Sequence, residues 1–225
     1  MTGGSQTGTN WLHTSDGCPG WASYFLSLGY TFTSGKKFKI WPQAHFHLQW
    51  PRTGEPDHQS FDNFFATGSY GWGEGDRRTD AGIIALEPEG PPFENQIIGT
   101  WPARPYGIGS LPLTFDPPIT DVAKDLPTQR INLTRSDRSN CIVQQNPPKR
   151  LSNLANFPVL FYVTEASYHA YYDYCTLAFR EQAGMQVDYI DLPEVGIRDN
   201  GHFSFMEKSN LRIAPLLNAW IQKFV

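Results

Sequence analysis

From Pro158 onward the chain alternates two hydrophobic periods, and that alternation restricts the fold more than any other feature. "PVLFYVTEA" is a continuous apolar run of strand length, and "YDYCTLAFREQAG" has helical spacing closed by Gly184. "QVDYIDLP" is strand-like again, and "NLRIAPLLNAWIQKFV" is a final helix with an apolar stripe at Leu211, Ala214, Leu217 and Ile221. Strand, helix, strand, helix implies right-handed crossovers and a parallel sheet. "GIIALE", residues 82–87, is a further short apolar run ending in a carboxylate, which predicts a buried parallel strand feeding a loop at the functional edge of the sheet.

The rest of the chain is less regular. "GGSQTGTNW" is a glycine-rich loop, and "PGWASYFLSLGY" places Trp21, Tyr24, Phe25 and Leu28 at helical spacing before Gly29. "YTFT" hints at a strand that breaks off into "SGKKFK". Residues 41–66 are aromatic, polar and punctuated by proline, which predicts an irregular excursion over a pocket. Residues 99–150 hold many prolines and little periodicity, and are expected to form a long lid or connector. At 225 residues the whole is expected to be one domain with one core.

Composition narrows the function classes. The chain is 40% apolar, 14% aromatic and 18% charged, with 18 prolines and 20 glycines, as befits a globular, loop-rich protein. Its net charge of -4 and dispersed Lys and Arg provide no footprint for nucleic acid, and no run is long enough to span a bilayer. Neither is therefore expected as a partner. Cys18, Cys141 and Cys175 are odd in number and irregularly spaced, so free thiols are expected, with neither a disulfide framework nor a zinc site. The start "MTGGSQTGTN" lacks the pattern of a signal peptide, which makes the cytoplasm the expected location. On that expectation the glycosylation triplet "NLT" at Asn132 is a chance match.

Two residues stand out chemically. In a parallel sheet, reactive groups collect in loops at the carboxyl ends of the strands. Glu87 follows one strand, and His202, in "GIRDNGHFSFMEKSN", lies in the loop after another. A carboxylate that holds an imidazole in one tautomer lets its other nitrogen take a proton from a nucleophile. Each residue alone is unspecific, since a strand-end Glu is often solvated and a His before a helix is often structural. Glu165, with His169 four residues on, is the alternative acid. His45, His47 and His58 lack acidic or thiol companions at a recognised spacing, so no metal is expected, and no cofactor.

The segments "GGSQTGTNWLHTSDGCPGWASYFLSLGY", "WPQAHFHLQWPRTG", "GIIALEPEGPPF", "FPVLFYVTEASYHAYYDYC" and "LPEVGIRDNGHFSFMEKSN" resemble, in this order, those of a fungal and bacterial family of esterase-like α/β-hydrolases. The resemblance implies an α/β-hydrolase fold, a three-layer parallel-sheet sandwich, with a Ser, Glu, His triad. It implies that Glu87 is the acid, His202 the base, and that backbone N–H groups of Gly3, Gly4, Ser5 and Gln6 form an oxyanion hole. Trp41, Phe46, Trp50 and Phe61 would line the lid over a small, rather apolar substrate.

The departures from the family pattern bear on activity. "GSYGWGEGDRR" keeps the tail of the nucleophile elbow at Gly68, Tyr70, Gly71 and Trp72, while the place of the serine falls on Phe65. Ser69 is the best substitute in reach, although Thr67 stands where an elbow prefers glycine. Further jumps follow "GYTFT" and precede Met1, so the fold is expected to be abridged, with unpaired edges that favour association into a homo-oligomer. Three functions remain: hydrolysis of an ester or lactone, a non-hydrolytic role in metabolite binding, isomerisation or cyclisation in fungal secondary metabolism, and an inactive, incomplete gene product.

Overall fold

The computed structural model describes residues 8–34, 38–41, 83–87, 90–94, 104–109, 112–132, 137–155 and 158–224. They form two compact units. The first comprises Met1–His47, Thr164–Ala166 and Leu192–Val225, and the second Leu48–Val163 and Ser167–Asp191.

In the first unit a 3-10 turn, Gly8–Trp11, leads to the helix Trp21–Ser27, which buries Trp21, Ala22 and Phe25. Gly29 ends it at a φ of 84°, a left-handed conformation that glycine adopts without steric cost. Strands β1 (Thr31–Ser34) and β2 (Phe38–Trp41) then pair antiparallel, with Thr31 opposite Trp41 and Ser34 opposite Phe38. "YTFT" thus does not break off as an isolated strand: it pairs with Phe38–Trp41.

The last helix, Asn210–Ile221, belongs to the same unit and buries Ile213, Ala214, Leu217 and Trp220. The stripe is rotated from the expected one, for Leu211 is exposed and Ile221 half-buried. Packing against the first helix sets the rotation. Trp21 Nε1 donates to the carbonyl of Asn210 at 2.9 Å, Tyr30 Oη donates to Asn218 at 2.7 Å, and Gln222 Nε2 donates to Tyr30 Oη at 2.6 Å.

The second unit is built on a parallel sheet of three strands: β3 (Ile83–Leu86), β8 (Pro158–Val163) and β9 (Gln186–Asp191), with β8 in the middle. Ile83 stands opposite Val159 and Leu86 opposite Tyr162, while Pro158 stands opposite Gln186 and Val163 opposite Asp191. A strand covered on both faces reads as an unbroken apolar run, and Val159 to Val163 are all buried. The helix Asp173–Gln182 connects β8 to β9 and ends at Gly184, whose φ is 77°. Mixed helix and sheet, with parallel order at the centre, agrees with the α/β pattern of the sequence.

Residues 99–150, expected as lid or connector, contain short elements where they are described. Strands β4 (Phe115–Asp116) and β7 (Arg150–Leu151) pair antiparallel, as do β5 (Thr128–Ile131) and β6 (Cys141–Gln144). Between them lies one helical turn, Val122–Asp125, capped by the Asp121 side chain. Ile108, Leu113, Phe115 and Leu126 join Leu151, Leu154, Val159, Phe179 and Met185 in one apolar cluster, so the stretch contributes core as well as connection.

The cysteine expectation is corrected. Cys141 and Cys175 form a disulfide that ties β6 to the helix Asp173–Gln182, and Cys18 is the free, exposed thiol. Their separation of 34 residues matches no sequence signature, and the fold alone brings them together.

Candidate functional site

Glu87 directly follows β3 and is 4% exposed, at the carboxyl edge of the parallel sheet. Its φ is 41°, left-handed backbone that a non-glycine residue adopts at a cost of about 1–3 kcal/mol. Such strain persists where the surroundings enforce it. A Cβ on Gly90 would come within 2.5 Å of Thr176 Oγ1 and 2.9 Å of Tyr172 Cε2, so only glycine lets the loop beyond Glu87 lie against the helix that follows β8.

Ser167 Oγ donates to Glu87 Oε2 at 2.6 Å, a short, buried bond. The same hydroxyl accepts from the backbone N–H of His169 at 3.1 Å and caps the 3-10 turn Tyr168–Tyr171. His169, 2% exposed, places Nδ1 3.0 Å from Asp173 Oδ1 and Nε2 3.2 Å from Tyr172 Oη. A Glu87 oxygen and a His169 ring nitrogen lie within 4.8 Å of each other. Burial pushes the Tyr172 phenol well above its usual range, with the Asp173 carboxylate adding to the effect. Burial also lowers Arg180 to about 10, against the pull of Asp173, and its guanidinium lies 5.5 Å from the ring centre of Phe161.

The first unit holds His202 in a loop fixed at several points. Glu165 accepts from Arg198 at 2.7 Å and from the backbone N–H of Asp199 at 3.0 Å. These contacts, the Asp199 amide first, hold its carboxyl below the ordinary range. Ala166 N–H donates to the Asn200 carbonyl at 2.8 Å, Ser209 Oγ donates to Asn200 Oδ1, and Gly201 N–H donates to Glu207 at 2.7 Å. Asp199 has a φ of 66° and Asn200 is fully buried. Beyond His202 the short turn Ser204–Met206 carries Phe205, which stacks on Trp11 with ring centres 4.3 Å apart. His202 itself is half-buried beside Phe203.

Glu165 is thus committed to the backbone of the His202 loop. His169 has Asp173 as its carboxylate, and it lies near Glu87, the acid assigned to the other pair. Ser167, Asp173, Asn200 and Glu207 were missed in the sequence, where small polar residues near strand ends and helix starts look like ordinary turn and cap chemistry. Trp41 closes β2. Gly3, Gly4, Ser5, Gln6, His45, Phe46, His47, Trp50, His58, Phe61, Phe65 and Ser69 lie outside the described residues.

No family model matches the chain. A probable secreted lipase, phiG, of Fungal sp. (strain ATCC 74256) is 38% identical over 294 residues, covering 99% of this chain and 80% of that protein. Its description as secreted contradicts the cytoplasmic location expected here from the first ten residues. The Cys141–Cys175 disulfide gives the physical reason, since such bonds persist in oxidising compartments. The chain belongs to the same family of lipase-like hydrolases as that protein.

Proposed function

We propose that the chain is a secreted hydrolase of the α/β-hydrolase fold that cleaves an ester or lactone of a small, rather apolar molecule. His202 acts as general base and Glu87 orients its imidazole. Ser69 is the nucleophile, Gly3, Gly4, Ser5 and Gln6 supply oxyanion donors, and Trp41, Phe46 and Trp50 line the substrate pocket. The observation that carries the reading is Glu87: a buried carboxylate on left-handed backbone just after a parallel strand, fixed by Ser167. Strain of that kind clusters where orientation matters to chemistry. The loop of His202 follows β9, which runs parallel to β3, so both chain segments leave from the same edge of the sheet.

In this reading Ser69 Oγ attacks the ester carbonyl carbon while His202 takes its proton. The tetrahedral oxyanion collapses, the C–O bond breaks, and His202 returns the proton to the leaving alcohol. Water, deprotonated by His202, then frees the acid from the serine. Glu87 remains charged throughout and stabilises the imidazolium.

A second reading is a hydrolase-like protein that binds, isomerises or cyclises a metabolite. It is favoured by an alignment of 294 positions against a chain of 225 residues, which leaves internal stretches of the relative without a counterpart. It also fits the fall of the elbow serine's place on Phe65. Labelling with a fluorophosphonate probe separates the two. Label lost in both Ser69→Ala and His202→Ala supports the hydrolase, and a chain that stays unlabelled while turnover depends on His202 supports the second reading.

A further inference from the structure

We propose that Asn132 carries an N-linked glycan, an inference that rests on the reading of the chain as exported. Asn132, Leu133 and Thr134 form the only Asn-x-Ser/Thr triplet in the sequence. The triplet lacked meaning for a cytoplasmic chain. In an oxidising, secretory setting, to which the disulfide and the secreted relative both point, it becomes an acceptor.

The fold leaves room for the sugar. Asn132 is exposed and immediately follows β5, whose ladder with β6 ends at the pair Ile131 and Cys141. It therefore opens the connection that Cys141 closes, and the disulfide anchors the far root of that connection to the helix Asp173–Gln182. All four residues of β5 are exposed, Ile131 by 44%, and among the described residues β6 is the sole strand beside it. A strand edge of this kind invites pairing with other chains unless something bulky and hydrophilic stands over it. A glycan on the next residue would do that.

The modification balances with one co-reactant, a lipid-linked oligosaccharide pyrophosphate. Asn132 Nδ2 attacks the anomeric carbon, the C–N bond forms, the C–O bond to pyrophosphate breaks, the lipid pyrophosphate departs, and the amide nitrogen gives up one proton. No redox step is involved.

The test is expression of the full chain behind a cleavable secretion leader in yeast, with Asn132→Gln, Thr134→Ala and Thr134→Ser beside the wild type. The leader makes entry into the secretory pathway independent of the chain's own export, and leader cleavage marks the chains that entered. The expected result is a wild-type band that collapses on treatment with a glycan-removing amidase, leaving Asp at position 132 in the peptide mass. Thr134→Ser keeps the shift, and the other two variants lack it. A leader-cleaved wild type at bare polypeptide mass, whether secreted or retained in the cell, overturns the proposal. The export reading is decided apart, by whether the chain reaches the medium from its natural host.

Discussion

A carboxylate that is 4% exposed and sits on left-handed backbone is unfavourable twice, through lost hydration and through strain, unless its surroundings hold it charged and in place. Ser167 anchors the Glu87 carboxyl with a 2.6 Å bond. Replacing Glu87 with Gln is expected to lower kcat by up to about 10⁴-fold, as when a triad acid loses its charge. Ser167→Ala, which removes a hydrogen bond to a charged group worth about 1.5–3 kcal/mol, should cost roughly tenfold to a hundredfold. The pH profile of kcat/KM checks both, because loss of the orienting charge shifts its lower limb while loss of folding alone does not. Asp125 gives an independent test of the structure at this scale. Backbone N–H groups of Asp121 and Thr120, then the Thr120 hydroxyl, lower its carboxyl from 3.8 to about 2. A depressed carboxylate contributes stability above its ordinary value and loses it as pH falls towards the depressed one, so Asp125→Asn should flatten acid unfolding between pH 3.8 and about 2. Glu87 was legible in the sequence because a carboxylate ended an apolar run. Ser167 and Asp173 were not, since their partners Glu87 and His169 are identified only by the fold.

The elements most legible in sequence were those with long, clean periods. Strands β8 and β9 and the helix between them fall where the pattern put them, because a buried central strand has to be apolar throughout. The segment 99–150 was opaque for the opposite reason: strands of two to four residues are shorter than any period can reveal. The final helix was found, with its buried face displaced, because Trp21 and Tyr30 choose the side on which it rests. Two element-scale predictions follow from packing. Closing a loop of 34 residues, the Cys141–Cys175 bond should contribute about 4 kcal/mol on the chain-entropy estimate. Urea unfolding with and without reductant measures it, and an unchanged midpoint would count against the bond. Leu151 is fully buried in the apolar cluster, and Leu151→Ala should destabilise by about 2–5 kcal/mol in the same assay.

For the whole molecule, the relative's description as a secreted lipase and the Cys141–Cys175 disulfide both stand against the cytoplasmic location expected from the first ten residues. The lesson is physical: two cysteines 34 residues apart acquire meaning only once β6 lies against the helix after β8. We propose a serine hydrolase driven by His202 and Glu87. Its most direct test is mass-spectrometric mapping of the fluorophosphonate adduct on the wild type, His202→Ala and Glu87→Gln. An adduct on Ser69 is expected in the wild type, abolished in His202→Ala and strongly slowed in Glu87→Gln. A folded, oxidised wild type that forms no adduct, or one whose labelling ignores both substitutions, would contradict it.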